Sequence, residues 1–212
     1  MPTSQHHQIS DICDVIYWVR PARLLDVGIG FGKYGLLARE YLELWDGRQE
    51  YDAWQHRIDG IEAYANYVKP WQQALYDHIY IGDARDVVPT LDSRYDLVLL
   101  IDVLEHLTRE DGAALLEALR TRADNFLIAT PKDIGHQGED TFHNVYEAHR
   151  GQWHRRDFNA YAERLVIPNP YSWLVLLGPS ARSVRAGRAR RRRALLRHRY
   201  VGWARRFFPF RG

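Results

Sequence analysis

Three ionisable residues follow an apolar run near the middle of the chain. Asp102, Glu105 and His106 follow the apolar residues 97–101, which end the segment 95–101. A carboxylate or an imidazole held in a fixed position can take a proton from a hydroxyl or an amine. His106 is the first candidate for such a general base because it follows the apolar run by only a few residues, and Glu105 and Asp102 are the alternatives. A purely structural role for His106, orienting the loop, is an equally open interpretation.

A glycine-rich turn near the amino terminus favours a second kind of chemistry, the binding of a nucleotide-like group. An apolar run ends at Asp26, and glycine then occupies every second position at Gly28, Gly30 and Gly32. Glycine allows unusual backbone angles and lets a ligand approach the backbone closely. The helix expected from Lys33 would present free N–H groups beside that ligand.

Two phosphate-binding patterns share this layout of strand, turn and helix. A P-loop is excluded because it needs glycine at position 27 and Ser or Thr at position 34, where the chain has Val27 and Tyr34. The dinucleotide pattern GxGxxG is matched by Gly30, Gly32 and Gly35, but it begins late relative to the strand. Its acidic partner is not found in the polar stretch 45–56. The glycines alone therefore leave the ligand open.

Apolar runs and helical patterns alternate along the chain and predict the elements that position these residues. The expected strands are the run before the glycine turn and residues 57–62, 79–81, 95–101, 125–130, 163–167 and 172–177. The expected helices are residues 6–19, 33–44, 66–76 and 111–122. This alternation predicts an α/β protein with a doubly wound, mostly parallel seven-stranded sheet and an antiparallel edge strand. Ligands of such sheets bind over the carboxyl ends of the strands.

Composition and charge agree with one folded body and a basic segment. With 46% hydrophobic residues, the 212-residue chain can bury a full core. Cys13 is the only cysteine, which excludes internal disulfides and thiolate metal clusters, and no metal is expected. The amino terminus has no signal-peptide pattern, so a cytoplasmic protein is expected. Residues 182–212 contain 12 Arg and no acid, leaving 17 basic against 27 acidic residues elsewhere, and we therefore predict a domain over 1–178 and a basic tail over 179–212.

The motifs, taken in order, resemble those of the class I S-adenosylmethionine (SAM)-dependent methyltransferases. The acid-x-Gly-x-Gly-x-Gly segment 26–32, an acid at the end of the second strand (Glu62), the Gly-Asp-Ala turn 82–84 and the Val-Leu-Glu-His-Leu segment 103–107 all match that family. The resemblance covers residues 8 to 178. It implies a Rossmann-like fold and an enzyme that transfers a methyl group from SAM.

The resemblance also implies roles for individual residues. In the family, the acid after the second strand accepts hydrogen bonds from the ribose hydroxyls, here Glu62, and the turn aspartate lies beside the adenine amino group, here Asp83. The alternative interpretation is that Glu62 and Asp83 are solvated acidic residues in turns and contact no cofactor. The cofactor-binding residues implied in this way are Asp26, Gly28, Gly30, Gly32, Glu62, Asp83, Ala84 and Asp102, and the catalytic residues are His106 and Glu105.

The polar stretch 132–155 is long for a structureless connection, and we predict that it is functional. Its pattern of Asn144, Glu147, His149 and Trp153 resembles a subset of the family in which this segment lies over the acceptor. These four residues are therefore expected to line the acceptor pocket, and a role in capping and packing is the alternative. The expected acceptor is a small molecule or a saccharide, lipid-linked acceptors included.

The arginine-rich tail separates hypotheses about the partner. Arg190 to Arg193 form a continuous run, and arginines then alternate with Leu, Tyr, Trp and Phe up to Arg211. This mixture suits a helix on an anionic membrane surface, and it also suits an RNA methyltransferase anchored by phosphate contacts and base stacking. A solvated tail, or a tail folded back on the acidic body, is the simplest alternative. A non-catalytic cofactor-binding module is the third functional hypothesis.

Overall fold

The computed structural model describes residues 3–44, 53–139 and 141–207, with only the backbone described for 195–207. Most of the polar stretch 45–56 and the last five residues of the basic tail therefore lie outside the described residues. The strands are β1 (Arg23–Val27), β2 (Arg57–Glu62), β3 (His78–Ile81), β4 (Tyr95–Ile101), β5 (Ala123–Pro131), β6 (Arg164–Ile167) and β7 (Ser172–Leu177). The helices are α1 (Ile9–Val19), α2 (Lys33–Arg39), α3 (Pro70–Leu75), α4 (Ala84–Thr90), α5 (Arg109–Arg120) and α6 (Ser180–Phe207).

The seven strands form one sheet in the order β3-β2-β1-β4-β5-β7-β6. Strands β1 to β5 pair in parallel, and β7 runs antiparallel between β5 and the edge strand β6. The central strands are buried on both faces, which explains their nearly continuous apolar sequences. The predicted α/β class and the mixed seven-stranded sheet are confirmed.

Helices cover both faces of the sheet. On one face, α1, α2 and the start of α6 pack on the β4 residues Leu97 and Leu99. On the other face, α4 and α5 pack on Val98 and Leu100, with residues of the segment after β5 closing the cluster. Because consecutive side chains of a strand point to opposite faces, β4 alone contributes to both apolar layers. This arrangement leaves the carboxyl ends of the strands open for a site.

Several elements differ in detail from their predicted bounds. The helix predicted over 33–44 is α2 followed by a π-helical turn over Glu40–Leu44. The helix predicted over 66–76 is a 3₁₀ turn and then α3, which begins at Pro70, where proline needs no donor. Helix α5 begins at Arg109, because Thr108 caps it by accepting a hydrogen bond from the Asp111 amide at 3.1 Å. Helix α4 was not predicted.

The basic tail begins with helix α6, which packs against α1. Ala181 and Val184 are buried in the core, and Gly187 lies so close to the Trp18 ring that a Cβ would come within 2.6 Å of it. The body therefore includes the first turns of the segment predicted as a tail from residue 179. In the part of the chain that the structure describes, no helix is long and apolar enough to cross a membrane.

Candidate active site

A cavity of about 370 Å³ lies over the carboxyl ends of the parallel strands. Its wall combines the glycine turn after β1, the ends of β2 and β3, the loop after β4 and the segment after β5. Of the residues predicted from the sequence, those that line it are Gly28, Gly30, Glu62, Asp83, Ala84, Asp102, Glu105, His106, Asn144, Glu147 and His149. Residues spread over more than one hundred positions are thus brought into one concave site.

The glycine turn is shaped so that its backbone faces the cavity. The amides of Gly28 and Ile29 both donate to the Ile61 carbonyl, at 2.8 and 3.2 Å, which ties the turn to β2. Gly28 has φ +73°, and a Cβ there would come within 2.8 Å of the Val103 side chain. Gly30 has φ +50° and open space where its Cβ would be. Glycine is required at Gly28 by packing and conformation, and at Gly30 it leaves the backbone accessible to a ligand.

Glu62 connects the second strand to the glycine turn. Its carboxylate accepts a hydrogen bond from the Gly30 amide at 2.9 Å and another from the Tyr64 amide at 3.0 Å. Burial raises the pKa of Glu62 despite these two donors. Each carboxylate oxygen has a second lone pair, so Glu62 can accept two further hydrogen bonds from a ligand in the cavity.

Asp26 and Gly32 were predicted to bind the cofactor, but neither lines the cavity. The Asp26 carboxyl accepts a hydrogen bond from the Tyr76 hydroxyl at 2.6 Å, and that hydroxyl accepts one from the Gly35 amide at 3.1 Å. Burial raises the pKa of Asp26 to about 7. Gly32 begins α2 with φ +87° and packs against α3. These residues support the turn from behind, through the hydrogen bond of Asp26 with Tyr76 and the packing of Gly32 against α3.

Asp83 and Ala84 lie at the junction between β3 and α4, and both line the cavity. Asp83 caps α4 by accepting from the Arg85 amide at 2.9 Å, and the Arg85 guanidinium donates to its other oxygen at 2.7 Å. The Arg85 side chain holds the pKa of Asp83 below its ordinary value. Asp83 is therefore an ionised, oriented acceptor, and its arginine partner was not foreseen from the sequence.

Asp102 occupies a strained position at the end of β4. Its φ is +54°, an uncommon angle for a residue with a Cβ. One carboxyl oxygen accepts from the Gln8 side chain at 2.8 Å, while the other is buried and has no hydrogen-bond partner among the described residues. Burial raises the pKa of Asp102 to about 6. An unsatisfied buried acceptor at a cavity wall is a place for a ligand donor.

Glu105 is almost completely buried beside Asp102. Its Oε2 atom has no hydrogen-bond partner in the described part of the chain. Burial and then the negative charge of Asp102 raise the pKa of Glu105 well above its ordinary value. This raised pKa favours the protonated carboxyl, which is the form that can donate a hydrogen bond.

His106 presents a neutral imidazole to the cavity. Its Nδ1 lies 3.3 Å from the Ala148 carbonyl oxygen, and burial lowers the pKa of His106. Because a carbonyl oxygen can only accept, Nδ1 carries the hydrogen, and the Nε2 lone pair of the neutral ring is left to accept a proton. A neutral imidazole with a free Nε2 lone pair is the form of histidine that can act as a general base.

The segment after β5 supplies the remaining predicted residues of the wall. Asn144 caps a short turn by accepting from the Tyr146 amide at 3.1 Å, and its side-chain amide lies 3.4 Å from the Glu147 carboxyl. Burial raises the pKa of Glu147. The His149 ring lies 5.2 Å from the His106 ring, and His149 Nδ1 is buried without a hydrogen-bond partner among the described residues.

Trp153 was expected at the acceptor pocket, and the structure places it elsewhere. Its indole N–H donates to the Leu104 carbonyl at 2.9 Å, and the Arg109 guanidinium lies 4.1 Å from its ring. A Cβ on Gly112 would come within 2.4 Å of the indole. Trp153 therefore packs between the loop after β4 and α5, where burial of a large ring is favoured. This outcome corresponds to the packing alternative.

Other residues of the wall were missed from the sequence. Lys33 is the first residue of α2, and its ammonium donates to the carbonyl of Ser4 at 2.9 Å and to the hydroxyl of Ser4 at 3.0 Å. Its position directly after the glycine turn could have indicated that it lines the cavity. The other unforeseen lining residues include Gln5, Phe31, Tyr34, Tyr67, Gln137 and Tyr146. Two of them, Phe31 and Tyr146, are 54% and 42% exposed, so the cavity has an aromatic rim.

The described part of the chain contains no group of three or more His, Cys, Asp or Glu side chains that could hold a metal ion. The residues that line the cavity are instead backbone amides, carboxyls, histidines and aromatic rings.

Comparison with known proteins gives structural relatives. No family model and no curated protein matches the sequence. Among solved structures, the N-terminal domain of EvdMO1 is similar, with a TM-score of 0.59 and 15% identity over 82% of this chain and 84% of that chain. That domain was crystallised in the presence of D-fucose and of SAH, the product that SAM becomes after methyl transfer. A SAM-dependent methyltransferase from Archaeoglobus fulgidus has a TM-score of 0.52 and 16% identity, over 71% and 65% of the two chains.

A third relative is the mitomycin 7-O-methyltransferase MmcR, with a TM-score of 0.52 and 15% identity, covering 81% of this chain and 54% of that one. These likenesses, at low identity, establish the architecture. The chain has the fold of the class I SAM-dependent methyltransferases, as its motifs predict.

Proposed function

We propose that this protein is a SAM-dependent methyltransferase that acts on a small-molecule or saccharide acceptor. The observation that carries the proposal is the Glu62 carboxylate, which bonds the Gly30 amide inside the cavity and keeps lone pairs for a ligand. This single contact joins the glycine turn to the acid after β2. The two motifs of the family resemblance therefore act on the same ligand.

The cavity residues fit the cofactor at each of its parts. Glu62 would accept the ribose hydroxyls, and Asp83 and the Ala84 backbone would hold the adenine. The open space at Gly30 lets the backbone approach the ligand, and the unsatisfied oxygen of Asp102 would accept the ammonium of the methionine part. When bound, SAM supplies a methyl carbon made electrophilic by its sulfonium. SAH in the crystals of the EvdMO1 domain supports this assignment.

The residues on the acceptor side of the cavity suit a small molecule that carries hydroxyl groups. Asn144, Glu147 and His149 offer both donors and acceptors at the wall, and such mixed groups suit the hydroxyls of a sugar. The relatives agree in kind, since EvdMO1 was crystallised in the presence of D-fucose and MmcR is a 7-O-methyltransferase. The aromatic rim at Phe31 and Tyr146 would cover an apolar part of the acceptor.

His106 is the proposed general base. Its Nε2 lone pair would take the proton from an acceptor hydroxyl as that oxygen received the methyl group; the methyl–sulfur bond of SAM would break, SAH would be the leaving group, and the proton would remain on the imidazolium. Glu105 is the second catalytic candidate. Because its raised pKa favours the protonated form, Glu105 would donate a hydrogen bond that orients the acceptor.

Calorimetric titration with SAM and SAH tests the cofactor assignment. We expect Glu62→Gln to weaken binding at least about tenfold, or roughly 1.4 kcal/mol, because one oxygen and the charge are lost. Glu117→Gln is the matched control, since Glu117 is exposed and pairs only with Arg120 among the described residues. Failure of the unchanged protein to bind either compound, or equal binding by the Glu62 variant, would refute the cofactor site.

Methyl transfer itself is tested with SAM and a panel of sugars and phenols, followed by SAH formation. We expect His106→Gln to keep its affinity for SAM and to lose turnover by about 10² to 10⁴-fold. Full activity of this variant would remove His106 as the base.

A further inference from the structure

Helix α6 has one face that is committed to the protein body. Ala181 and Val184 are buried, and the Arg188 guanidinium pairs with Asp11 at 2.5 Å and with Asp14 at 3.1 Å. Arg191 also pairs with Asp14. These residues follow one another at helical spacing and face α1. The docked face thus uses Arg188 in partly buried ion pairs and Arg191 in a more exposed one.

The opposite face of the same turns carries unpaired positive charge. Arg182, Arg190, Arg192 and Arg193 are exposed, and none has a hydrogen bond or ion pair to another of the described residues. Helix α6 contains no acidic residue over its whole length. We call these four residues the outer arginines. No contact among the described residues accounts for their positive charge.

The second half of α6 adds an apolar pattern to the charge. Leu196, Tyr200, Trp203 and Phe207 fall at spacings of four, three and four residues, and the backbone is helical throughout. Such spacing places four positions on one stripe of a helix. Arg199 and Arg206 occupy positions beside that stripe. Trp and Tyr are the residues most enriched where a membrane meets water.

We propose that α6 binds an anionic lipid membrane surface and lies in its plane. The outer arginines contact the headgroup phosphates, and the stripe of positions 196, 200, 203 and 207 enters the boundary of the acyl chains. The rest of the chain carries an excess of acidic residues, so repulsion from an anionic surface leaves α6 as the element that approaches it. The regular apolar stripe favours a membrane over RNA, because base stacking uses separate aromatic rings, whereas entry into the acyl-chain boundary uses a continuous apolar face that includes an aliphatic position such as Leu196.

The test uses the full-length protein and vesicle flotation. The vesicles contain phosphatidylglycerol and phosphatidylcholine, or phosphatidylcholine alone. We expect binding to the anionic vesicles and at least tenfold weaker binding to the neutral ones. The triple variant Arg190→Gln, Arg192→Gln and Arg193→Gln should lose at least tenfold in binding, while removal of the same charge from the body by Arg120→Gln, Arg155→Gln and Arg156→Gln should cost much less.

A second variant tests the apolar stripe separately. Trp203→Ser with Phe207→Ser keeps every arginine and should also weaken vesicle binding at least tenfold, with circular dichroism and the melting temperature checking the fold. Binding that is insensitive to this change, or equal loss in the body-arginine control, would overturn the proposal. So would an absence of vesicle binding by the unchanged protein, and an arginine-dependent binding of single-stranded RNA alone would assign the helix to RNA instead. The proposal does not depend on methyl transfer, and the calorimetric test of SAM is independent of it.

Discussion

The two halves of the cavity differ in how their polar groups are satisfied. In the cofactor half, formed by the glycine turn and β2, the Glu62 carboxyl at the cavity wall and the Asp26 carboxyl behind that wall are held by hydrogen bonds from the protein. In the acceptor half, formed by the loop after β4 and residues 132–155, Glu105 Oε2 and His149 Nδ1 are buried without such bonds in the described chain. An unmade buried hydrogen bond costs free energy. The carboxyls at the glycine turn and β2 are thus held by the protein, whereas buried groups without a partner among the described residues, Asp102 Oδ1 among them, collect on the β4 loop and residues 132–155.

Backbone geometry follows the same division. The positive φ angles of the glycine turn fall on glycines, which adopt them without strain, whereas Asp102 in the loop after β4 has φ +54° with a Cβ. In the acceptor half, Phe142 and His143 both have φ +55°, although each carries a Cβ. Strain of this kind persists at functional sites and is offset by the surrounding structure. The difference between the two halves can be tested by substitutions that target one half at a time.

The largest expected effect is the loss of stability in Gly35→Ala. A Cβ at Gly35 would lie 2.3 Å from the Tyr76 ring and would push that ring away from Asp26. We expect urea unfolding to show a loss of about 3 kcal/mol, near the upper end for overpacked cores. In the acceptor half, a Cβ at Gly138 would meet only the His136 ring at an ordinary contact distance of 4.0 Å, so Gly138→Ala should change stability by less than about 0.5 kcal/mol. Equal effects of the two substitutions would contradict the proposed contrast.

The next effect concerns Asp26, whose pKa burial raises to about 7 from an ordinary 3.8. A carboxyl with a higher pKa in the folded chain binds its proton more tightly there, so it favours folding in acid. Its contribution is fully present below the ordinary value and is lost as the pH rises through about 7. Between pH 5 and 7 this loss is about 2 kcal/mol.

The variant Asp26→Asn isolates this contribution. An amide oxygen still accepts from the Tyr76 hydroxyl, and it has no proton to lose over this range. Urea unfolding at pH 5, 6 and 7 should therefore show a flatter dependence of the unfolding free energy on pH than in the unchanged protein. Parallel curves for the two proteins would show that Asp26 does not titrate between these pH values.

The two halves also differ in how well they could be predicted from the sequence. Gly28, Gly30, Glu62 and Asp83 stand at strand ends, where hydrophobic pattern and turn residues determine both the element and the direction of its carboxyl end. The role of Asp26 behind the turn was not predictable, because its partner Tyr76 lies fifty positions away. The close packing of Gly35 against the Tyr76 ring was not predictable for the same reason.

The acceptor half is less predictable because irregular segments have no periodicity. Asn144, Glu147 and His149 were named from a family pattern, and the structure brings them to the cavity wall. The same pattern included Trp153, which packs against Arg109 and Gly112 instead. Spacing along an irregular segment does not determine which side chains face a cavity and which are buried behind it.

A smaller effect is expected on the protonation of His106. Burial lowers its pKa from the ordinary 6.5, and the Ala148 carbonyl requires the hydrogen on Nδ1. Nitrogen-15 NMR should therefore find a neutral ring with Nδ1 protonated at pH 7. A ring that is charged at pH 7, or protonated only at Nε2, would be incompatible with the general base proposed here.

The smallest effect tests whether the two histidines of the acceptor half act on one another. Their ring centroids are 5.2 Å apart, and the positive charge of a protonated His149 disfavours a second charge on His106, which contributes to its lowered pKa. In His149→Gln that repulsion is absent, so the pKa of His106 should move up toward its ordinary value while burial still keeps it below. The exposed His136, in the same segment, provides the control His136→Gln, which should leave the titration of His106 unchanged. A rise in the control alone, or no change in His149→Gln, would mean that burial by the segment 132–155 is sufficient to keep the proposed base neutral.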